Sequence, residues 1–313
     1  MIHYIIVFIT TYNKKEVLMS SFILTCCSTA DLPVDYYELH KLPYLCFHFV
    51  MDGREYNDDL GKSMSYEEFF KRISEGAMPT SSCVSVGEYE DCWEPFLKDG
   101  NDILHVAMGS GITATYNSAC IARDNLQRKY PERKIKVIDS LCGSGGYGLL
   151  VDAAVTLRDN GTSIDDAQRS LINKRLLVNH WFYTMDLSHF IRGGRMSKIA
   201  GVFGTMLNIC PLSTVDNEGK LALYSKHRGK QKCMEEVISI MKRHAIGGTE
   251  YSGKCHICNS ACPDDAKAMA DMINQNFPKI NGGVTIASFG TTIGVHTGPG
   301  TVAVYYFGTR RLD

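Results

Sequence analysis

The sequence predicts an α/β protein of two domains. An N-terminal open, mostly parallel sheet carries a small inserted β-ribbon, and an α/β or α+β domain follows it. Three observations lead there. The chain has 313 residues, about twice the roughly 150 residues of one domain. Short apolar runs end repeatedly in small-residue loops that open helical stretches, the pattern of parallel strands joined by helices with functional loops at the strand ends. Hydrophobic residues at 44%, charged residues at 21% and 9 prolines describe a chain with enough apolar surface for a core, which excludes disorder and fibrous repeats.

Residues 1–18 read as an N-terminal extension, with Met19 as a second candidate start and an edge strand at 5–9 as the alternative. The apolar run at 4–9 is too short to span a bilayer, which takes about 20 residues, and it lacks the basic lead and cleavage site of an export signal. A buried strand at 22–24 runs into Ser28-Thr29-Ala30-Asp31-Leu32-Pro33, a helix-capping group with Pro33 at an early helical position. A strand at 45–50, a tight turn at 51–54 and a return at 55–60 form the ribbon, placed at about 45–64. Ser65, followed by Glu67 and Glu68, opens a helix to 73, and Pro79-Thr80-Ser81-Ser82 then reads as a polar loop.

A helix at 86–97 and a strand at 102–108 lead to Gly109-Ser110-Gly111 and a helix at 115–130. A strand at 134–138 then precedes the glycine-rich run 143–148 and another helix through 155 or beyond. The turn at 160–163 marks the boundary, giving domains 19–162 and 163–313 with a binding pocket between them. The second half reads as a helix at 164–176, an extended segment at 181–184, a basic turn at 191–195 and a hairpin of 212–215 with 221–224. A helix at 232–244, a strand at 254–258, a helix at 263–276 and a strand at 284–289 follow. A rigid glycine loop at 294–300 and a last strand at 302–307 complete it.

Lys plus Arg is 33 and Asp plus Glu is 34, a formal charge of −1, so no global basic field gathers nucleic acid or an anionic membrane. Twelve cysteines are too sparse in a chain this long for a disulfide-stapled scaffold and suit reduced thiols in a cytosol. Cys255, Cys258 and Cys262 have spacings that raise a metal site, but a strand points Cys255 and Cys258 to opposite faces. Small structural residues are the preferred reading, with no metal and no cofactor. The run Gly143-Ser144-Gly145-Gly146-Tyr147-Gly148 matches a nucleotide-binding turn poorly, and close helix packing or contact with another ligand is the alternative.

Ser81 and Ser82 in one turn, and Ser110 ahead of Thr113 and Thr115 in another, are hydroxyls that converge with helix-start amides on one anion, a carboxylate or phosphate. Gly109-Ser110-Gly111 is not the GxSxG of a serine hydrolase, and no acid–histidine pair accompanies it. His296 in Gly294-Val295-His296-Thr297-Gly298-Pro299-Gly300 either ties down backbone or meets a ligand. Arg192 and Arg195 flank a tight turn, as a solvated charge cluster, an anion site or a partner contact.

Five segments in register, from about residue 22 to 307, resemble the DegV family of fatty-acid-binding proteins. They are the one at Ser28–Pro33, Pro79-Thr80-Ser81-Ser82-Cys83-Val84-Ser85, Gly109-Ser110-Gly111-Ile112-Thr113-Ala114-Thr115-Tyr116, Arg192-Gly193-Gly194-Arg195-Met196-Ser197 and His296-Thr297-Gly298-Pro299-Gly300. The resemblance implies a cytoplasmic, non-catalytic carrier with one long-chain fatty acid between its domains; the sequence leaves the oligomeric state open, with monomer as the default. It implies a carboxylate held by Ser81, Ser110 and His296. Ser28, Thr29, Ser82, Gly111, Arg192, Arg195 and Thr297 take secondary or partner-facing places. A bacterial fatty acid kinase is the implied partner, making an acyl-phosphate for phospholipid synthesis, with transient membrane contact and no integral membrane segment. The chain departs from the family pattern at Cys27, where Asp is usual before the first Ser-Thr, at Ser81-Ser82-Cys83 in place of Thr-Ser-Gln, and at Gly109 in place of Ser. A hydrolase or phosphotransferase, a cysteine-based metal or redox module, and a regulatory protein that kept the fold are the competing classes.

Overall fold

The computed structural model describes residues 22–196 and 208–311; the expected extension at 1–18 lies outside them. Strand β1 (Phe22–Cys27) is buried along its whole length and runs into a single 3-10 turn at Ser28–Ala30. Helix α1 (Val34–Leu39) then starts one residue after Pro33, which stands at its N-cap rather than inside it. With β2 (Tyr44–Leu45), β6 (Asp102–Ala107) and β7 (Ile135–Asp139), β1 forms an all-parallel sheet in the order β2-β1-β6-β7. The expected parallel sheet is therefore present.

The inserted ribbon is larger than expected. Strands β3 (His48–Met51) and β4 (Arg54–Asn57) make the hairpin, and Met51 pairs with Arg54 across its two-residue turn. Helix α2 (Tyr66–Ser74) follows, its Ser65 N-cap accepting from the Glu68 amide. Residues Thr80–Ser82 then return as β5 on the other side of β3, so the segment expected as a polar loop is a third strand. Three polar residues in a row carry no apolar alternation; only the free edge of β3 makes them a strand.

Helix α3 (Val86–Lys98) opens on a full capping box between Ser85 and Glu88 and packs with α4 (Thr115–Lys129) beside β6 and β7. Helix α5 (Ser144–Asp159) is the central element. It contacts β1 of the first sheet, and β8 (Val178–Tyr183), β11 (Cys255–Asn259) and β13 (Val302–Phe307) of the second. Its glycines exist for this packing: a Cβ on Gly146 would lie 2.2 Å from the His180 ring and one on Gly148 2.4 Å from the Ala30 carbonyl. The glycine-rich run thus serves helix packing rather than a phosphate cradle. Helix α6 (Ile164–Lys174) follows the expected boundary turn yet still packs on α5 and β7.

Short helix α7 (Ser188–Arg192) runs into the expected basic turn, whose Gly193-Gly194-Arg195 lies just past the helix. The second sheet is mixed, in the order β10-β9-β8-β13-β11-β12, with β9 (Ile209–Val215), β10 (Leu221–Arg228) and β12 (Val284–Ser288). Helices α8 (Lys230–His244) and α9 (Pro263–Asn276) pack against it over a second core of residues such as Trp181, Cys255, Ile257 and Tyr306. Cys258 belongs to the first core instead, so Cys255 and Cys258 face opposite sides of β11 as strand alternation requires. The stretch expected as a glycine loop near 294 begins as helix α10 (Thr291–Thr297), and the loop proper is Gly298-Pro299-Gly300. No helix among the described residues is long and apolar enough to cross a membrane.

Candidate functional site

A cavity of about 350 Å³ opens where the C-terminal ends of the parallel strands, the ribbon, α10 and the face of the second sheet meet. Its volume falls within the roughly 300–1,000 Å³ of small-molecule sites. The wall is mainly apolar, with Phe47, Ile112, Phe182, Phe190, Phe289 and Tyr305 among its larger side chains.

At one part of this wall, Ser81 on β5 and His296 in the last turn of α10 meet, with Oγ 2.8 Å from Nε2. Burial and the guanidinium charges of Arg195 and Arg192 push the imidazole down to about 4, so it is neutral near pH 7. Its Nδ1 is buried without a hydrogen-bond partner. A proton on Nε2 leaves no ring N–H unpaired: Nε2–H donates to Ser81, and the Ser81 hydroxyl is free to donate onward to an anion. Close backbone approach makes this possible, since a Cβ on Gly193 would lie 2.2 Å from His296 Nδ1 and one on Gly298 2.2 Å from the His189 ring. The glycines of the RGGR and HTGPG segments therefore interlock α7 with α10.

Arg195 also lines the cavity and donates from Nε to the Ile112 carbonyl at 3.3 Å. Ser82 and Thr297 line it too. Arg192 does not; its guanidinium lies 3.0 Å from His189 Nδ1. Ser110, expected beside the ligand, points elsewhere: Oγ donates to Asp139 Oδ2 at 2.6 Å and the amide to Oδ1 at 3.0 Å. It is exposed and lines no part of the cavity. Thr113, in the same loop, lines the cavity instead, its Oγ1 accepting the Thr115 amide at 3.3 Å and leaving its own proton to donate. The spacing of hydroxyls in this loop named both residues, and only the turn after β6 selects between them.

Gly111 packs against the β9–β10 turn, where a Cβ would lie 2.5 Å from the Glu218 carbonyl. Ser28 and Thr29 are buried in the 3-10 turn away from the cavity, and Ser28 donates to Asp58 Oδ2 at 3.3 Å. Ser144 of the glycine-rich run lines the wall, and so does His180, which sequence reasoning missed. His180 accepts the Gly143 amide on Nε2 at 3.4 Å and meets the Val178 carbonyl through Nδ1 at 3.1 Å. The one signal for it was a lone histidine in an apolar strand. At Cys27, where the family has Asp, the thiol sits 3.3 Å from the Tyr89 hydroxyl, and burial pushes it up to about 12. It is an inert core group.

A family description reading "Uncharacterised protein, DegV family" matches residues 24–309. The chain is 32% identical over 290 residues to a DegV domain-containing protein of Clostridium perfringens, covering 93% of this chain and 98% of that one. A DegV domain-containing protein of Lactococcus lactis is 32% identical over 279 residues, covering 89% and 94%. Among solved structures, a DegV lipid binding protein from Thermotoga maritima superposes with a TM-score of 0.80 at 23% identity, covering 93% and 100%. A fatty-acid-binding DegV family protein from Thermus thermophilus gives 0.80 at 24%, covering 92% and 99%. Matched along nearly its whole length in sequence and in fold, the chain belongs to the DegV family.

Proposed function

We propose that this protein binds one long-chain fatty acid, its carboxylate against Ser81, Thr113 and Arg195 and its chain along the apolar wall. The observation that carries the reading is an apolar cavity whose wall holds the Ser81–His296 pair. The fatty acid bound by the Thermus relative and the lipid bound by the Thermotoga relative support it. Burial of about ten methylenes contributes roughly 8 kcal/mol, whereas a hydrogen bond to a charged head contributes about 1.5–3 kcal/mol. The chain therefore supplies most of the affinity, and the head group sets the direction of binding.

Native mass spectrometry of purified protein, followed by organic extraction, tests the reading; one fatty acid per chain is the expected result. Failure to retain or take up any long-chain acid overturns it. Replacing Ser81 or Thr113 by Ala weakens binding about 10- to 100-fold, and Ser110→Ala leaves the affinity unchanged.

We extend the proposal to a carrier role in which a separate fatty acid kinase transfers a phosphoryl group from ATP to the bound carboxylate, giving acyl-phosphate and ADP. The extension rests on the family resemblance. Mixing loaded protein with such a kinase and ATP, then trapping acyl-phosphate with hydroxylamine, tests it; no hydroxamate from protein that retains its acid overturns the carrier role alone.

A further inference from the structure

Two carboxylates that the site does not use are buried at the start of the helix that bears His296. Asp31, in the turn after β1, accepts the Ser144 hydroxyl at 2.6 Å and the Gly290 amide at 2.9 Å. Asp58, after β4, accepts the Thr291 amide at 3.2 Å, the Thr291 hydroxyl at 2.9 Å, the Thr292 amide at 3.4 Å and the Ser28 hydroxyl at 3.3 Å. The two acids close on one point: a Cβ on Gly290 would lie 2.9 Å from Asp31 Oδ1 and 3.2 Å from Asp58 Oδ1. They are 5% and 1% exposed, too little for water to screen them.

No lysine, arginine or histidine among the described residues forms an ion pair with either acid. The groups that face Asp31 are Asp58, Ser144, Tyr37, Tyr66, Tyr305 and Cys258, whose thiol donates to the Asp31 carbonyl at 3.8 Å. Those that face Asp58 are Asp31, Tyr37, Tyr44, Cys46, Tyr66 and His48, which is itself paired with Glu88 at 2.8 Å. Two adjacent buried anions with no cation repel each other strongly, and a shared proton removes the repulsion. Asp58 has four donors at a helix start and suits the charge; Asp31 has two and suits the proton.

We propose that Asp31 and Asp58 are positioning residues for the head-group end of the cavity, sharing one proton and in that form fixing α10 so that His296 meets Ser81. Burial holds both carboxyl groups above the usual carboxylate range, and the Asp58 charge acts in the same direction on Asp31. From Gly290 to His296 the helix spans about 9 Å at 1.5 Å per residue, and its other end is locked against Gly193. A shift of its start is carried along so short a helix to the imidazole of His296, which is held between that start and the Gly193 contact beside β5.

The proposal rests on the fatty-acid reading for its functional consequence and on the free protein for its geometry, so both are measured. The first readout is the ¹⁵N resonances of the His296 ring in ligand-free protein, and the second is the affinity for cis-parinaric acid, each followed from about pH 6 to pH 10. In the wild type, ionisation of the second acid shifts the ring resonances and lowers the affinity as pH rises. Asp31→Asn, whose Asn suits the left-handed φ of 47° at this position, gives flat profiles in both. Asp58→Asn removes the anion from the start of α10 and weakens binding about tenfold already at neutral pH.

The fatty acid's own carboxyl titrates alike in every variant. A wild-type ring profile that is flat, or equal to that of Asp31→Asn, overturns the proposal, and the wild type alone decides this even if the variant does not fold. A ring profile that follows the pair in a protein that binds no cis-parinaric acid upholds the positioning role and overturns the fatty-acid reading instead.

Discussion

His105 shows how a single buried residue sets the response to acid. It is fully buried on β6, with Nδ1 2.9 Å from the Thr25 hydroxyl and its ring against Tyr89 and Trp93. Burial pushes it down to about 3. In the unfolded chain it takes a proton near pH 6.5, so the unfolded state binds the proton first. Its contribution to stability is complete above about pH 6.5 and is lost progressively as pH falls towards 3. Urea midpoints between pH 7 and pH 4.5 test this: His105→Gln flattens the acid limb by up to about 1.4 kcal/mol per pH unit. Residue chemistry of this kind was legible only in part. Ser81 and His296 stood out by type and motif, whereas Ser110 and Thr113 are both hydroxyls in one loop. The carboxylate of Asp139, 29 residues away, draws Ser110 off.

At the scale of elements, glycine in a helix separates packing from propensity. An exposed glycine in a helix costs about 0.5–1 kcal/mol relative to alanine. Gly87 in α3 has nothing within 4 Å of a built Cβ, so Gly87→Ala stabilises by up to that amount. Gly146 in α5 meets the His180 ring, so Gly146→Ala destabilises by about 1–3 kcal/mol through overpacking. Chemical denaturation of the two variants gives opposite signs. Most helices were legible because their caps and apolar spacing are local, as with Ser85 and Glu88 on α3. Strand β5 and helix α10 were not, because β5 owes its form to the β3 edge and α10 begins on Asp31 and Asp58 from distant segments.

For the whole molecule, α5 and Arg311 join what the sequence divides. Helix α5 is buried between both sheets, and the core it belongs to also takes in Phe182, Cys258, Ala303 and Tyr305 of the second sheet. Calorimetry is expected to show one cooperative transition for the described body rather than two; separate transitions for the two sheets would contradict this. Arg311 is 4% exposed and donates to the carbonyls of Leu141, Arg175, Val178 and Asp216 and to the Cys142 sulfur. It stitches the loop after β7 to β8 and the β9–β10 turn without a carboxylate partner among the described residues. Arg311→Ala leaves several buried carbonyls unpaired, at about 1–3 kcal/mol for each that water does not reach. Arg311→Lys restores little, because one ammonium cannot reproduce the planar fork; thermal midpoints of the two variants test both statements.

The sequence by itself determined the α/β class, the parallel first sheet and most helices, because periodicity, capping and motif order are carried by neighbouring residues. Tertiary structure alone decided that β5 is a strand, that the late glycine segment begins as a helix, that Thr113 rather than Ser110 reaches the cavity, and that α5 serves both sheets. Each of these depends on a contact between residues far apart in the chain, such as Asp139 with Ser110 or His180 with Gly146. Local pattern does not encode such contacts; close packing imposes them once the sheets come together.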